Sequence, residues 1–471
     1  MANQQLPHTR LVDNVLRYPK SGINVLVVGA GPSGLLAAIE CWRKGDILAL
    51  GPSAVAVFRH FPSLLQDYYD VGLDCESVVL HIDGKVAVPP MEFEPNRPGV
   101  APHAAFPIRS NTIIGRYDMT NILYKQCVRL DIPIRWNVQI ASYEEDAVSK
   151  KGRAIATDGT VFEADLVLAA DGLGSRSHAL TLGKPVRAVS TGYSIYRAAI
   201  WTEDLTDTPL IDQYLKEQTR PQARIYAGHN QHIVLVVSKR LVSIAITLPN
   251  DIQGQALESW STTISTEELI SSLPAPDYDP LFLEALRAFP KNSVVKWDLC
   301  MRDPQPHWTS KEGHVLQLGD SAHSFIPTSA NGATVAMEDG ASIAECLRLS
   351  DKAGPHLAAK VHELLRFERV SLIQLMGLVN RANFHREGHE EAKQLQSRIV
   401  QGKWLWGHRS EEYAADNFAR AAAHLISGVP FQNRNVPPGY VHEGWTLEDQ
   451  IAREKQGIVV DLTKNGDWSL V

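Results

Sequence analysis

Hydrophobic and polar positions change period several times along the chain. Residues 23–28, INVLVV, form a short β-rich run that ends at Gly29; from Ser33 to Lys44 apolar residues recur at helical spacing until Gly45 stops them. That pattern predicts strand, glycine turn and helix. The stretch to about residue 185 is mixed, with a proline-rich loop at PPMEFEPNRPGVAP, a helix around Tyr117 to Leu130 and a strand, DLVLAA, at 165–170. Between 186 and 300, alternating segments such as YSIYRAAI, ARIYAG, HIVLVVS and LVSIAITL predict strands with one buried face. A further strand, VLQLGD, is expected at 315–320 and a helix from Gly332 to Leu349, after which the chain is mostly helical and polar.

Length and composition narrow the class. A chain of 471 residues is too long for one simple core and fits two or three packed units, and 44% hydrophobic with 21% charged residues is ordinary globular usage. The net charge of −7, from 46 basic and 53 acidic residues without a basic block, leaves no footprint for nucleic acid or an anionic membrane, so the expected partner is a small molecule. Cysteines at 41, 75, 127, 300 and 346 contain no C-x-x-C, which points to a reducing, cytoplasmic setting. No secretory h-region is read near the N-terminus. The apolar stretch from Val25 to Trp42 is broken by Gly29, Gly31, Pro32, Ser33, Gly34 and Glu40, so no membrane span is expected.

Gly29-Ala30-Gly31-Pro32-Ser33-Gly34 is G-x-G-x-x-G directly after a strand and opening a helix. The first glycine permits the tight turn, the second lets backbone approach a pyrophosphate, and the third lets helix and strand pack closely. Two other expected strand ends carry an Asp-Gly or Gly-Asp pair: Asp171-Gly172 in DGLGS and Gly319-Asp320 in GDSAH. A carboxylate there can accept from ribityl or ribose hydroxyls, or can simply close an Asx-turn or cap a helix.

Together GAGPSG at 29–34, GRYDMTNIL at 115–123, DGLGS at 171–175 and GDSAHSFIPTSANGATVAMED at 319–339 resemble the FAD-dependent aromatic hydroxylases, the flavoprotein monooxygenases that include salicylate and para-hydroxybenzoate hydroxylase. WLWGH near 404–408 and GWTLEDQ near 444–450 resemble the fungal secondary-metabolism branch. The resemblance implies an α/β fold: a Rossmann-like FAD-binding domain in two parts, 20–185 and 301–350, an inserted β-rich substrate domain at 186–300, and a helical C-terminal region and tail at 351–471. It implies FAD as cofactor, NAD(P)H and O2 as co-substrates, and hydroxylation or epoxidation of an aromatic, indole or terpenoid substrate. The cofactor would be held by Gly29, Gly31, Gly34, Gly45, Arg116, Asp171, Asp320, Gly332 and Ala333. Among these, Arg116 resembles an arginine that contacts the flavin, Asp320 the carboxylate on the ribityl chain, and Asn331-Gly332-Ala333 the helix start facing the flavin pyrimidine edge, where reduced flavin gathers negative charge. Pro327 would shape the loop beside the ring.

For substrate chemistry, alternation in TGYSIYRAAI puts Tyr193, Ile195 and Arg197 on one face. Arg197 resembles the arginine that fungal phenol hydroxylases use over the flavin, and Tyr226 resembles its tyrosine partner. Such an arginine can pair with a phenolate or carbonyl oxygen. Read from the residues alone, the pair is an exposed strand arginine and a packed tyrosine. His385-x-x-x-His389 has helical metal spacing, but Arg386 stands where a zincin needs glutamate, so no metal is expected.

Two departures stand out. The family's Asp-Gly turn ends in arginine, whereas His178 stands here, which leaves NADPH docking or cofactor packing at that turn open. A Rossmann unit also needs a second strand ending in Asp or Glu about twenty residues beyond the glycine turn, yet Lys44-Gly45 runs straight into Asp46-Ile47-Leu48-Ala49-Leu50. Either that strand is missing or ILAL is the strand and the ribose is held otherwise. A flavin-dependent dehydrogenase, or a degenerate protein with impaired FAD binding, are the alternatives to a monooxygenase.

Overall fold

The computed structural model describes residues 10–17, 22–29, 31, 47–73, 75, 77–82, 85–92, 113–218, 220–228, 230–250, 262–274, 278–352, 354–385, 402–458 and 460–468. Gly34, Gly45 and the helix expected over Ser33–Lys44 lie outside these residues. In chain order the elements that position the site are β1 (Val25–Val28), β2 (Ile47–Ala49), β3 (Ser77–Ile82), β4 (Lys85–Glu92), β5 (Ile113–Gly115) and α1 (Arg116–Arg129). The antiparallel strands β6 (Ile140–Asp146), β7 (Lys151–Ala156) and β8 (Val161–Ala164) lead into β9 (Leu166–Ala169). Then come β10 (Val189–Trp201), α2 (Pro209–Glu217), β11 (Gln222–Gly228), β12 (Gln231–Val237), β13 (Leu241–Pro249), β14 (Thr263–Ile264), α3 (Pro280–Ala288) and β15 (Val294–Met301). The chain continues with β16 (Val315–Gln317), α4 (Gly332–Ser350), α5 (Pro355–Phe384) and α6 (Ser410–Ser427).

A parallel sheet of order β16-β9-β1 brings three strand ends side by side, with Ala169 in register with both Val28 and Gln317. β9 and β16 are buried along their whole length, as strands covered on both faces must be, and their Leu, Val and Ala content reflects it. β1 is different. It is the last strand in the order, and Val25 and Val27 remain 40% and 42% exposed. ILAL is a strand, β2, but it pairs antiparallel with β5 and not with β1, so it does not serve as the second Rossmann strand.

The second sheet has eight strands in the order β14-β15-β10-β13-β12-β11-β3-β4. It reaches back beyond the expected 186–300 insertion, because β3 pairs in parallel with β11, Gln222 opposite Ser77 through Ala227 opposite Ile82. SVVLHI is too buried to stand without a neighbour on that edge. One face of this sheet packs on α2 and α3, where Tyr196, Tyr226, Ile233, Leu235, Ile244 and Ile246 meet Ile211, Phe282, Ala285 and Leu286. Burying each of these large apolar side chains contributes roughly 1.5–3 kcal/mol, and a one-residue slip would turn the whole set outward, so the register is firmly set. The other face meets the end of α5, where Phe384 packs on Leu80, Ile82 and Ala227.

Candidate flavin site and its setting

Gly29 follows β1 with φ +108°, a conformation that only glycine adopts readily, and a Cβ there would sit 2.2 Å from the Ala170 carbonyl oxygen. The turn is therefore pressed against the end of β9. Gly31 is the opposite case: among the described residues a Cβ would meet nothing within 4 Å, which leaves the room that backbone approached by a pyrophosphate needs.

Next to it, the turn after β9 is tied down by its own polar groups. Tyr143 Oη donates to Asp171 Oδ2 at 2.7 Å, and burial raises the Asp171 pKa. Ser175 and Ser177 hydroxyls lie 2.6 Å apart, and Gln317 Nε2 donates to Ser177 Oγ at 2.8 Å, which links this turn to β16. His178 is buried, with Nδ1 at 3.1 Å from Ser175 O, and burial followed by Arg302 lowers its pKa.

The third strand end is held from behind. Gly319 N donates to Asp339 Oδ2 at 3.0 Å, and His323 Nε2 lies 2.6 Å from the same oxygen. Arg366 completes the set, with Nε to Asp339 at 2.9 Å and Nη1 to Glu338 at 2.7 Å, while Arg369 reaches Glu338 at 2.9 Å. Burial opposes ionisation of both carboxyls. At Glu338 the Arg369 and Arg366 guanidiniums outweigh it, and at Asp339 His323 and Arg366 do, so both are held well below the usual carboxylate range. The result is a rigid floor beneath the Gly319-Asp320 turn, built from adjacent residues of α4 and residues one turn apart on α5.

Asp320 itself is exposed, yet desolvation by the protein around it raises its pKa, against the pull of His323, Arg116 and Arg302. A solvent-accessible carboxylate at a strand end suits a polyhydroxyl chain. Arg116, the first residue of α1, lies close enough to act on Asp320 electrostatically, so the structure brings these two expected cofactor residues together. Gly332 and Ala333 begin α4 after Ala330 in the left-handed region at φ 53°, and no side chain caps that N-terminus. Its amides therefore remain available to an electron-rich ring edge. A Cβ on Gly332 would only touch Phe325, at 3.5 Å, so this glycine is not forced by the protein's own packing.

Sequence reasoning missed Arg302. Just past β15 and 4% exposed, it donates through Nη2 to Leu173 O, through Nη1 to Asp320 O at 3.4 Å and through Nε to Val186 O at 3.4 Å. It clamps the turns after β9 and β16 together, and it is the cation beside the turn where His178 replaces the expected arginine. The only signal was a charged residue closing an alternating strand. Ser321 and His323, by contrast, are structural: Ser321 Oγ donates to Ala169 O at 2.5 Å and His323 serves Asp339.

Arg197 and Tyr226 are not brought together. Cross-strand register places Tyr196, Ile246, Ile233 and Tyr226 on one face and Arg197, Ala245, Val234, Ile225 and Leu80 on the other. Tyr226 packs with Phe282 on the side of α3 and donates to Asp279 Oδ2 at 2.6 Å; Asp279 also caps α3 and pairs with Arg224 at 2.9 Å. Burial, then the Asp279 carboxylate, push the Tyr226 pKa far up, so the phenol keeps its proton. The expected partnership over the flavin is thereby corrected: Tyr226 is a packed tyrosine. Arg197 lies on the face that α5 covers.

His385 lies within 2.8 Å of His232, and among the described residues no group of three or more His, Cys, Asp or Glu could hold a metal ion. His389 lies outside the described residues.

Residues 91–362 match the family described as "FAD binding domain". The chain is 36% identical to the FAD-dependent monooxygenase dmxR9 of Cryptosporiopsis, over 97% of this chain and 92% of that protein. It belongs to the FAD-dependent monooxygenases. It is also 34% identical to the FAD-dependent monooxygenase fsr3 of Gibberella fujikuroi, over 97% of this chain and 91% of that protein. Among solved structures, CtdE in complex with FAD and a substrate matches at 26% identity with a TM-score of 0.72, over 86% of this chain and 99% of that one. The dmxR9 match runs over 488 positions, more than the 471 residues of this chain, so the relative carries residues within the match that have no counterpart here. FAD is the cofactor of this class and NAD(P)H its usual reductant. The three strand-end turns, Asp320, Arg116 and the open start of α4 fit the flavin, ribityl and phosphate portion of FAD. Among the described residues, no helix is long and apolar enough to cross a membrane.

Proposed function

We propose that this FAD-dependent monooxygenase hydroxylates or epoxidises an aromatic or other electron-rich secondary metabolite held against the α5 side of the eight-stranded sheet. The observation that carries this is the setting of Arg197. It is a cation on a sheet face where its own row is Ala245, Val234, Ile225 and Leu80, with Ile195, Thr247 and His232 in the row beside it. Such a surface suits a flat apolar body bearing one phenolate or carbonyl oxygen. Pairing with the guanidinium favours the charged oxygen, which makes the ring carbon a better nucleophile. Bound FAD would supply the activation of O2, with NAD(P)H and a proton consumed, one oxygen atom entering the product and the other leaving as water. The chain's own residues orient and desolvate: Asp320 and Arg116 fix the ribityl end, the amides of α4 favour negative charge at the ring, and the apolar face excludes water. Cys75, Cys127, Cys300 and Cys346 are buried and unbridged, which supports a reducing, cytoplasmic setting.

The test is NAD(P)H-driven turnover of a panel of phenolic polyketides and indoles, read by mass spectrometry. A gain of one oxygen supports the reading, whereas loss of two hydrogens sinks it in favour of dehydrogenation. Arg197→Ala should lower kcat/KM for a productive substrate by about 10²-fold, an estimate at the scale of one lost charge-assisted contact in a dry site, while flavin content stays unchanged. Unaltered turnover would remove Arg197 from the site.

A further inference from the structure

The two halves of the dinucleotide site are unequal. For the half that would face flavin, ribityl chain and first phosphate, the described residues offer Gly29, Gly31, Arg116, Asp320, Gly332 and Ala333. The adenosine half of a Rossmann site needs a second strand beside the first, ending in an acidic residue that holds the ribose hydroxyls. Among the described residues no strand stands beside β1 on its outer edge, and the sequence and the pairing of β2 leave little room for one. Between the end of β1 at Val28 and the start of β2 at Ile47, the helical spacing from Ser33 to Lys44 takes up most of the available sequence. β2 itself is committed to β5, and Leu50-Gly51, which follow it, offer no carboxylate. Among the described residues β1 ends the parallel sheet, and its Val25 and Val27 are left 40% and 42% exposed where a neighbouring strand and its packing would cover them.

We propose that the chain recognises the flavin mononucleotide portion of its cofactor and does not select for adenosine, so that it takes FMN about as well as FAD. The inference rests on the FAD-dependent reading above and concerns which part of the cofactor this chain can grip. The phosphate of FMN carries an anionic charge to the same glycine turn that receives the pyrophosphate of FAD, and helix-start amides favour either. Without a ribose-holding carboxylate, the adenosine adds mass but few specific contacts.

The experiment uses the full chain stripped of flavin and titrated by equilibrium dialysis with FAD and, separately, with FMN. The expected result is dissociation constants within tenfold of each other, with FAD not displaced by millimolar AMP. Asp320→Asn should weaken both flavins by the same factor, which places both in the one site. FAD binding more than tenfold tighter than FMN, displacement of FAD by AMP, or unequal effects of Asp320→Asn would overturn the proposal while leaving the FAD-dependent reading intact. Binding of neither flavin would overturn both.

Discussion

Tyr226 and Arg302 show how much a side chain's role depends on the partner its strand brings to it. Alternation assigned Tyr193, Ile195 and Arg197 to one face of β10 correctly, because parity within one strand is local. Parity between strands is not local, since the face that Tyr226 occupies is fixed by the pairing of β11 with β12 and β3, which no residue of ARIYAG announces. Tyr226→Phe should accordingly leave substrate oxidation and its coupling to NAD(P)H near wild type, while losing about 1.5–3 kcal/mol of stability for a hydrogen bond to a charged group. Urea denaturation and a turnover assay on the same preparation check both halves; a selective loss of turnover would return Tyr226 to the active site. Arg302 leads the other way. It was invisible because its acceptors are backbone oxygens of Leu173, Val186 and Asp320, distant in sequence. Arg302→Met should leave those buried carbonyls short of a donor and let the two turns drift. A fall in bound flavin per protein of at least tenfold at fixed flavin concentration is expected, and a full flavin complement would show that the clamp is dispensable.

At the scale of elements, the parallel sheet was legible in outline because INVLVV, DLVLAA and VLQLGD are short apolar runs that each end in a glycine-bearing turn. The eight-stranded sheet was legible only in its middle, since the parallel pairing of β3 with β11 joins segments more than a hundred residues apart. The second strand was a spacing problem in the sequence, and among the described residues nothing pairs with the outer edge of β1. The glycine turn offers a paired prediction that separates folding from binding. Gly29→Ala must push β1 away from the Ala170 carbonyl and hold φ +108° with a side chain, which strains two elements at once. It should destabilise the protein by several kcal/mol, on the order of other strained-backbone substitutions, and abolish flavin binding. Gly31→Ala meets no atom of the described residues within 4 Å, so thermal stability of the flavin-free protein should be unchanged while flavin affinity falls, the Cβ standing where the phosphate approaches. Equal destabilisation by both substitutions would mean that the turn opens toward protein on both sides, contrary to the site as described.

For the whole molecule, the buried charges set how stability depends on pH. His232 and His362 are each pushed down to about 3, chiefly by burial, with Arg381 adding to the effect at His232 and Asp339 opposing it at His362; His385 and His408 lie well below the ordinary value for the same first reason. All four are neutral in the folded protein. Once unfolded they take up protons below about pH 6.5, so the unfolded state binds more protons and stability falls as pH falls, at most about 1.4 kcal/mol per pH unit for each histidine. Glu338 and Asp339 act in a lower window. Their folded pKa values are depressed by Arg366, Arg369 and His323, so the stability they contribute is fully present above about pH 4.5 and is lost progressively as pH drops further. The melting temperature of the holoenzyme should therefore decline steadily from pH 7 to 5, before Glu338 and Asp339 titrate, and steepen below pH 4.5. His362→Gln, which can keep a contact to Ser342 Oγ, 3.1 Å from Nδ1 in the parent, should make the pH 7 to 5 slope shallower by one proton's worth. A flat profile across that range, or an unchanged slope in the variant, would mean that these histidines are reached by protons without unfolding.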